Sequence, residues 1–184
     1  MTVSRRGFLK KGLVGGAILA GGGVLALMAA PGKRTRSPHG KLAVLSAYEY
    51  AIFSAVAARL VPGDGAPGWP SAETLQIADG LDALLARLHP GAARDFKRLL
   101  HVFESAVTGL TSTGTPLPFT RCTAAQQDRR LEAWRHARVE LLRSGYQAMK
   151  RLAHALYYSS PQLYERVGYP GPPVVPQSPP EAPR

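Results

Sequence analysis

Five histidines, one cysteine and twelve side-chain carboxylates are the groups from which this 184-residue chain could build a reactive site. The histidines are His39, His89, His101, His136 and His154. A ferritin-like metal bundle needs Glu-x-x-His twice, with further glutamates. His101 and Glu104 stand one turn apart in the reverse order and only once, and His154 has no acid at i±3 or i±4. Cys122 is alone, which excludes an internal disulfide, a four-cysteine zinc site and an iron–sulfur cluster built by this chain by itself. It also lacks the C-x-x-C-H setting of covalent haem. Two readings of Cys122 stay open: a free, partly buried thiol at a helix start, or a thiol that forms a disulfide to a partner chain in an oxidising compartment. No G-x-S-x-G, Walker A or dinucleotide fingerprint occurs. Asp79 and Asp82 share a helix face and read as a solvated pair. The expectation is a chain with no catalytic residues, no metal and no cofactor of its own.

The charge points elsewhere. Lys plus Arg is 23 and Asp plus Glu is 12, for a net of +11. Residues 1–40 hold seven of the basic residues and no acid, and the rest carries sixteen basic against twelve acidic, a net of +4. The excess belongs to a leader, so a nucleic-acid partner is not expected. Ser4-Arg5-Arg6-Gly7-Phe8-Leu9-Lys10 precedes an uncharged run from Gly12 to Ala30. A charged start before an apolar stretch is the layout of an export signal. Ser4, Arg5, Arg6, Phe8, Leu9 and Lys10 match the twin-arginine signal position for position, and the run is Gly-rich and only mildly hydrophobic. The resemblance implies passage through the twin-arginine translocase in a folded state, to the periplasm or the periplasmic face of the inner membrane. Leu27-Met28-Ala29 is a poor cleavage site. The run of 19 residues suffices to span about 30 Å of hydrocarbon. Retention as a membrane anchor is therefore the alternative to removal.

The remainder reads as all-α, a small bundle of four to five helices. Residues 1–31 form the signal or anchor, 32–41 a basic linker, 42–170 the helical domain, and 171–184 a Pro-rich tail expected to be disordered. Ser46 and Glu49 make a capping box before a helix that Pro62 stops. Ser71 caps a second, with Ile77, Leu81, Leu84, Leu85 and Leu88 on its stripe. A third runs from about Ala92 to Gly109, with Phe96, Leu99, Leu100, Phe103, Val107 and Leu110 on one face. Thr123 and Gln126 box the start of a long helix to about Tyr158, kinked at Ser144-Gly145. Its apolar stripe includes Leu131, Trp134, Leu141, Leu142, Met149, Leu152 and Leu156. Arg129, Arg130, Arg135, Arg143 and Arg151 fall on its polar side. Near the stripe, Ala137 is expected to face the core and Arg138 to snorkel at its edge; a buried or interfacial ion pair is the sharper option for Arg138.

At the C-terminal end, Tyr157, Tyr158, Tyr164 and Tyr169 lie close together. Pro161 can open a short helix, and Gly168 can end it in a left-handed conformation. The tyrosines suit either a partner interface or closure of the domain's own core. At these residues the chain resembles the gluconate 2-dehydrogenase subunit 3 family. The match is carried by Leu45-Ser46-x-x-Glu49 with Leu60-Val61-Pro62, by Leu131 and Trp134, and most specifically by Tyr157-Tyr158-x-x-Pro161 and Val167-Gly168-Tyr169-Pro170-Gly171-Pro172. It is weakest over residues 63–122. The resemblance implies a non-catalytic small subunit of a membrane-associated dehydrogenase. It implies a large flavoprotein partner carrying FAD and, in many members, a cytochrome c subunit carrying c-type haem. The small subunit is expected to assist maturation and to lend its leader to the partner. The alternative is a stand-alone, membrane-anchored envelope protein with a scaffolding role. No catalytic residues carry over; Tyr157, Tyr158, Pro161, Gly168, Tyr169 and Pro170 are motif positions.

Overall fold

Ser46 opens the central helix. Its Oγ accepts from the Glu49 N–H at 3.2 Å, and its own N–H donates to Glu49 Oε2 at 2.7 Å. The box satisfies amides that a helix start leaves open. The helix, α1 (Ala47–Leu60), ends where Val61 turns extended ahead of Pro62. The computed structural model describes residues 37–64 and 66–173. Five more helices follow α1 there: α2 (Ile77–Leu85), α3 (Pro90–Glu104), α4 (Ala106–Thr113), α5 (Ala124–Arg135) and α6 (Glu140–Tyr158). Short 3₁₀ turns occupy Pro62–Asp64, Phe119–Arg121 and Pro161–Leu163, and no strand occurs among the described residues. None of these helices is long and apolar enough to cross a membrane. The export-signal residues and the chain beyond Pro173 lie outside the described residues.

Tyr50, Ile52, Phe53, Val56 and Ala57 are all buried. They cover several sides of α1, so this helix is the axis of the core and not one of its walls. It packs against α2, α3, α5 and α6. Phe103 joins the far end of the core, edge-on to Trp134 with ring centroids 4.7 Å apart and tilted on Phe119 at 4.6 Å.

The fold is all-α as expected, but the described helices number six, because two expected helices are each broken. Ser105 interrupts the third. Its backbone leaves the helical region and its Oγ accepts from the Val107 N–H at 3.1 Å, so it ends α3 and caps α4. Serine favours this because its hydroxyl offers the backbone an alternative to the helical bond. Thr108 Oγ1 donates to the Val102 carbonyl at 2.7 Å at the same break. The apolar phase does not survive it: Val107 and Leu110 are exposed. The long fourth helix breaks at residues 136–139, with Val139 extended. Arg143 donates to the carbonyls of Ala137 and Arg138 at 2.7 and 3.0 Å, satisfying acceptors the break leaves open. Ala137 and Arg138 therefore sit in a connection, half-buried and exposed respectively, and not on a helical stripe. Leu141 is 73% exposed. Ser71 also does not cap α2; its Oγ accepts from the Thr74 N–H in a preceding turn, and α2 starts after Gln76 at φ 50°.

Gly145 lies inside α6. A Cβ there would meet Leu99 Cδ1 at 2.6 Å and Trp134 Cζ3 at 3.0 Å. The glycine lets α6 approach α3 and α5. Gly145→Ala is expected to cost about 1–3 kcal/mol by overpacking, read as a lower denaturant midpoint at unchanged slope.

Candidate functional site

Glu104 and Arg130 put two charges inside the protein. Glu104 ends α3 and is 2% exposed, and its carboxylate accepts from Thr120 Oγ1 at 2.6 Å, Thr120 N at 3.0 Å and Tyr48 Oη at 3.3 Å. Burial pushes its pKa up; the Thr120 and Tyr48 hydrogen bonds and the positive charge of Arg130 offset this only in part. The folded state thus holds the Glu104 proton more tightly than the unfolded chain does. Stability on this account falls as pH rises from the ordinary value of 4.5 through the raised one. Glu104→Gln keeps an acceptor for Thr120 and removes the charge. It is expected to flatten that fall in unfolding free energy and to leave stability at pH 7 within about 1 kcal/mol.

Arg130, expected on the solvated face, is fully buried. Its Nη2 donates to the Leu117 carbonyl at 2.6 Å and the Thr115 carbonyl at 3.5 Å, and its Nη1 to the Phe103 carbonyl at 3.4 Å. Its guanidinium lies 5.9 Å from the centre of the Phe119 ring. Burial lowers its basicity. A Cβ on Gly109 would collide with this guanidinium and with the Thr115 carbonyl, which is why a glycine stands there. Arg130 staples the loop after α4 to the end of α3. Its Nε, with Trp134 Nε1, has no partner among the described residues. Cys122 is buried under the same staple: its Sγ donates to the Pro118 carbonyl at 3.4 Å and lies 3.6 Å from Arg130 Nη2. Burial pushes the thiol above its ordinary pKa, which keeps it protonated and slow to react.

The acidic pair on α2 is an anchor, not a solvated face. Asp82 is 6% exposed and accepts from the amides of Ala43, Val44 and Leu45 at 2.7, 2.9 and 2.7 Å. Burial pushes it up, but these three amides outweigh burial and hold the carboxylate below its ordinary value. Asp79 Oδ2 accepts from Tyr50 Oη at 2.8 Å and lies 3.0 Å from His39 Nδ1. Burial beside that carboxylate raises the Tyr50 phenol far above its ordinary value. The segment from His39 to Leu45, ahead of α1, is thereby fastened to the bundle.

A third cluster lines a groove. Glu49, 5% exposed at its side chain, lies 3.1 Å from both Lys97 Nζ and His101 Nε2. Burial raises its pKa, but the Ser46 amide, Lys97, the Ser46 hydroxyl and His101 together hold it below the ordinary value. The groove beside it measures about 540 Å³ and runs between the end of α2 and α3. No group of three or more His, Cys, Asp or Glu that could hold a metal ion occurs among the described residues.

The C-terminal motif divides. Tyr157 is fully buried and donates from Oη to the Pro70 carbonyl at 2.9 Å, pinning α6 to the loop after α1. Tyr158 and Tyr169 are 38% and 44% exposed. Tyr158 stacks on His154, and Tyr169 packs edge-on against Tyr164. Pro161 opens its 3₁₀ turn, whose Leu163 is buried; Gly168 takes φ 66°, and Pro161, Gly168 and Pro170 are exposed. Closely spaced in sequence, the tyrosines serve both the core and the surface.

Comparison with curated proteins and with solved structures gives no match. The family model described as Gluconate 2-dehydrogenase subunit 3 matches residues 47–171, from the first residue of α1 through the Tyr-Pro-Gly of the C-terminal motif. That stretch covers more than half of the chain and all six described helices, and the chain belongs to the gluconate 2-dehydrogenase subunit 3 family.

Proposed function

We propose that this chain is the non-catalytic small subunit of a flavin-dependent dehydrogenase of the gluconate, sugar or polyol type. In this reading it assists maturation of the large subunit, takes it through the twin-arginine translocase in a folded state, and holds it at the periplasmic face of the inner membrane. FAD belongs to the large subunit and c-type haem to a cytochrome subunit. The carrying observation is the pairing of a family match over the whole helical domain with Ser4-Arg5-Arg6-x-Phe8-Leu9-Lys10 ahead of it.

Folded-state export favours a domain that closes its own core. Two internal staples support this: Asp82 fastens the entry segment and Arg130 fastens the loop after α4, each through this chain's own backbone. The test is affinity purification of the tagged full-length chain from membranes, followed by an absorbance spectrum. A flavin spectrum with a co-purifying dehydrogenase subunit is expected. Recovery of this chain with no flavoprotein overturns the reading.

A further inference from the structure

We infer that the outer edge of α3 is the docking surface for an acidic, amphipathic helical segment of the large dehydrogenase subunit. This deepens the proposed function and rests on it. Arg94, Lys97 and Arg98 stand at i, i+3 and i+4 on α3, with the His101 ring at i+7, so one face of the helix carries three cations and an imidazole. Like charges at this spacing destabilise a helix unless something offsets them. Glu49 offsets Lys97 from below and lies as close to the His101 ring. Arg94 and Arg98 are exposed. Among the described residues the carboxylate on Arg98 is Asp95 at 3.3 Å, with both side chains more than 70% exposed, a pairing of little strength in water.

The opposite wall of the groove is apolar. Val44, Leu85 and Leu88 line it, and Leu88 is 43% exposed. On the other side of Arg98 a second apolar groove of about 200 Å³ runs along Leu99, Val102, Leu141 and Leu142. Val102 is 45% exposed there, and Leu141 more so. α3 is thus a cationic ridge between two apolar troughs. A ridge of this charge calls for a partner rich in carboxylates, and the troughs call for one that also brings apolar side chains. From Arg94 to His101 the ridge extends over about 10 Å, two turns of a partner helix at 1.5 Å per residue. A helix laid along the ridge pairs its carboxylates with Arg94 and Arg98 and drops its apolar face into a trough.

The test co-expresses the full-length chain with the large subunit and compares Arg94→Glu with Arg98→Glu against a control of equal charge change, Arg129→Glu with Arg151→Glu. All four positions are exposed, and an unchanged unfolding midpoint shows that each variant folds. The ridge variant is expected to retain the large subunit about tenfold less well, with the wild-type association weakening as salt rises, and the control to retain it within about twofold. Retention by the ridge variant at the wild-type level overturns the proposal. So does a ridge variant that keeps the large subunit but loses binding to phosphatidylglycerol vesicles, which reassigns the face to the membrane. A wild-type chain that never holds the large subunit sinks the proposed function and this surface with it.

Discussion

Arg130→Ala is expected to remove about 3–5 kcal/mol of folding free energy, a large share of the roughly 5–15 kcal/mol a domain has. Three effects act together. The Leu117, Thr115 and Phe103 carbonyls lose their donors. A side chain with no exposed surface leaves a void that its neighbours fill only in part. Phe119 loses the cation over its ring. Arg130→Met fills most of the space and spares the burial of a charge, so it is expected to cost less, about 1–3 kcal/mol. The order of the two variants in denaturant midpoint separates lost hydrogen bonding from lost volume. Cys122 gives an independent readout. The thiol is shielded by the loop that Arg130 holds, so thiol labelling is expected to be at least about tenfold faster in Arg130→Ala. Equal labelling rates would show that the staple does not control the loop.

Asp82→Ala is expected to cost about 2–4 kcal/mol. Three amides converge on this carboxylate, and one of them belongs to Leu45, itself in the core. Without the acceptor the segment before α1 comes away, and proteolysis within residues 41–46 accelerates. The pH dependence has a definite sign. The folded carboxylate sits below its ordinary value of 3.8, so its contribution is fully present above that value. It is lost as pH falls through the lowered folded value. Glu49, below its ordinary 4.5, acts in the same direction. Asp82→Ala therefore loses stability at neutral pH and less of it in acid. A variant whose deficit is the same at every pH would remove the carboxylate's charge from the explanation.

The two staples also show what the sequence made legible. Both capping boxes, Ser46 with Glu49 and Thr123 with Gln126, were readable because such a box is complete within four residues. The helical class followed from apolar spacing for the same local reason. The breaks at Ser105 and at residues 136–139 were not readable, since the groups that stabilise them, Thr108 and Arg143, act across the break. The close contact among three helices at Gly145 was not readable either, since Leu99 and Trp134 reach it from other helices.

Arg130 and Asp82 were missed for one shared reason. A charged residue on a helix is assigned to water by default, and only its tertiary partner reverses that. A signal was nonetheless there. Arg130 lies four residues before Trp134, and Asp82 three before Leu85, each on the buried face. Spacing alone left Tyr157 and Tyr158 under the same two alternatives, a partner interface or closure of the core, whereas neighbours on a helix point about 100° apart and the two part, Tyr157 into the core and Tyr158 onto the surface.

Localisation of the large dehydrogenase subunit in cells carrying Arg5→Lys together with Arg6→Lys decides whether one signal exports both polypeptides. Twin arginines are what the translocase reads, and lysines keep the charge while removing the signal. The account predicts that both polypeptides stay in the cytoplasm and that periplasmic dehydrogenase activity disappears. A large subunit that still reaches the periplasm at the wild-type level, while this chain is retained, contradicts it.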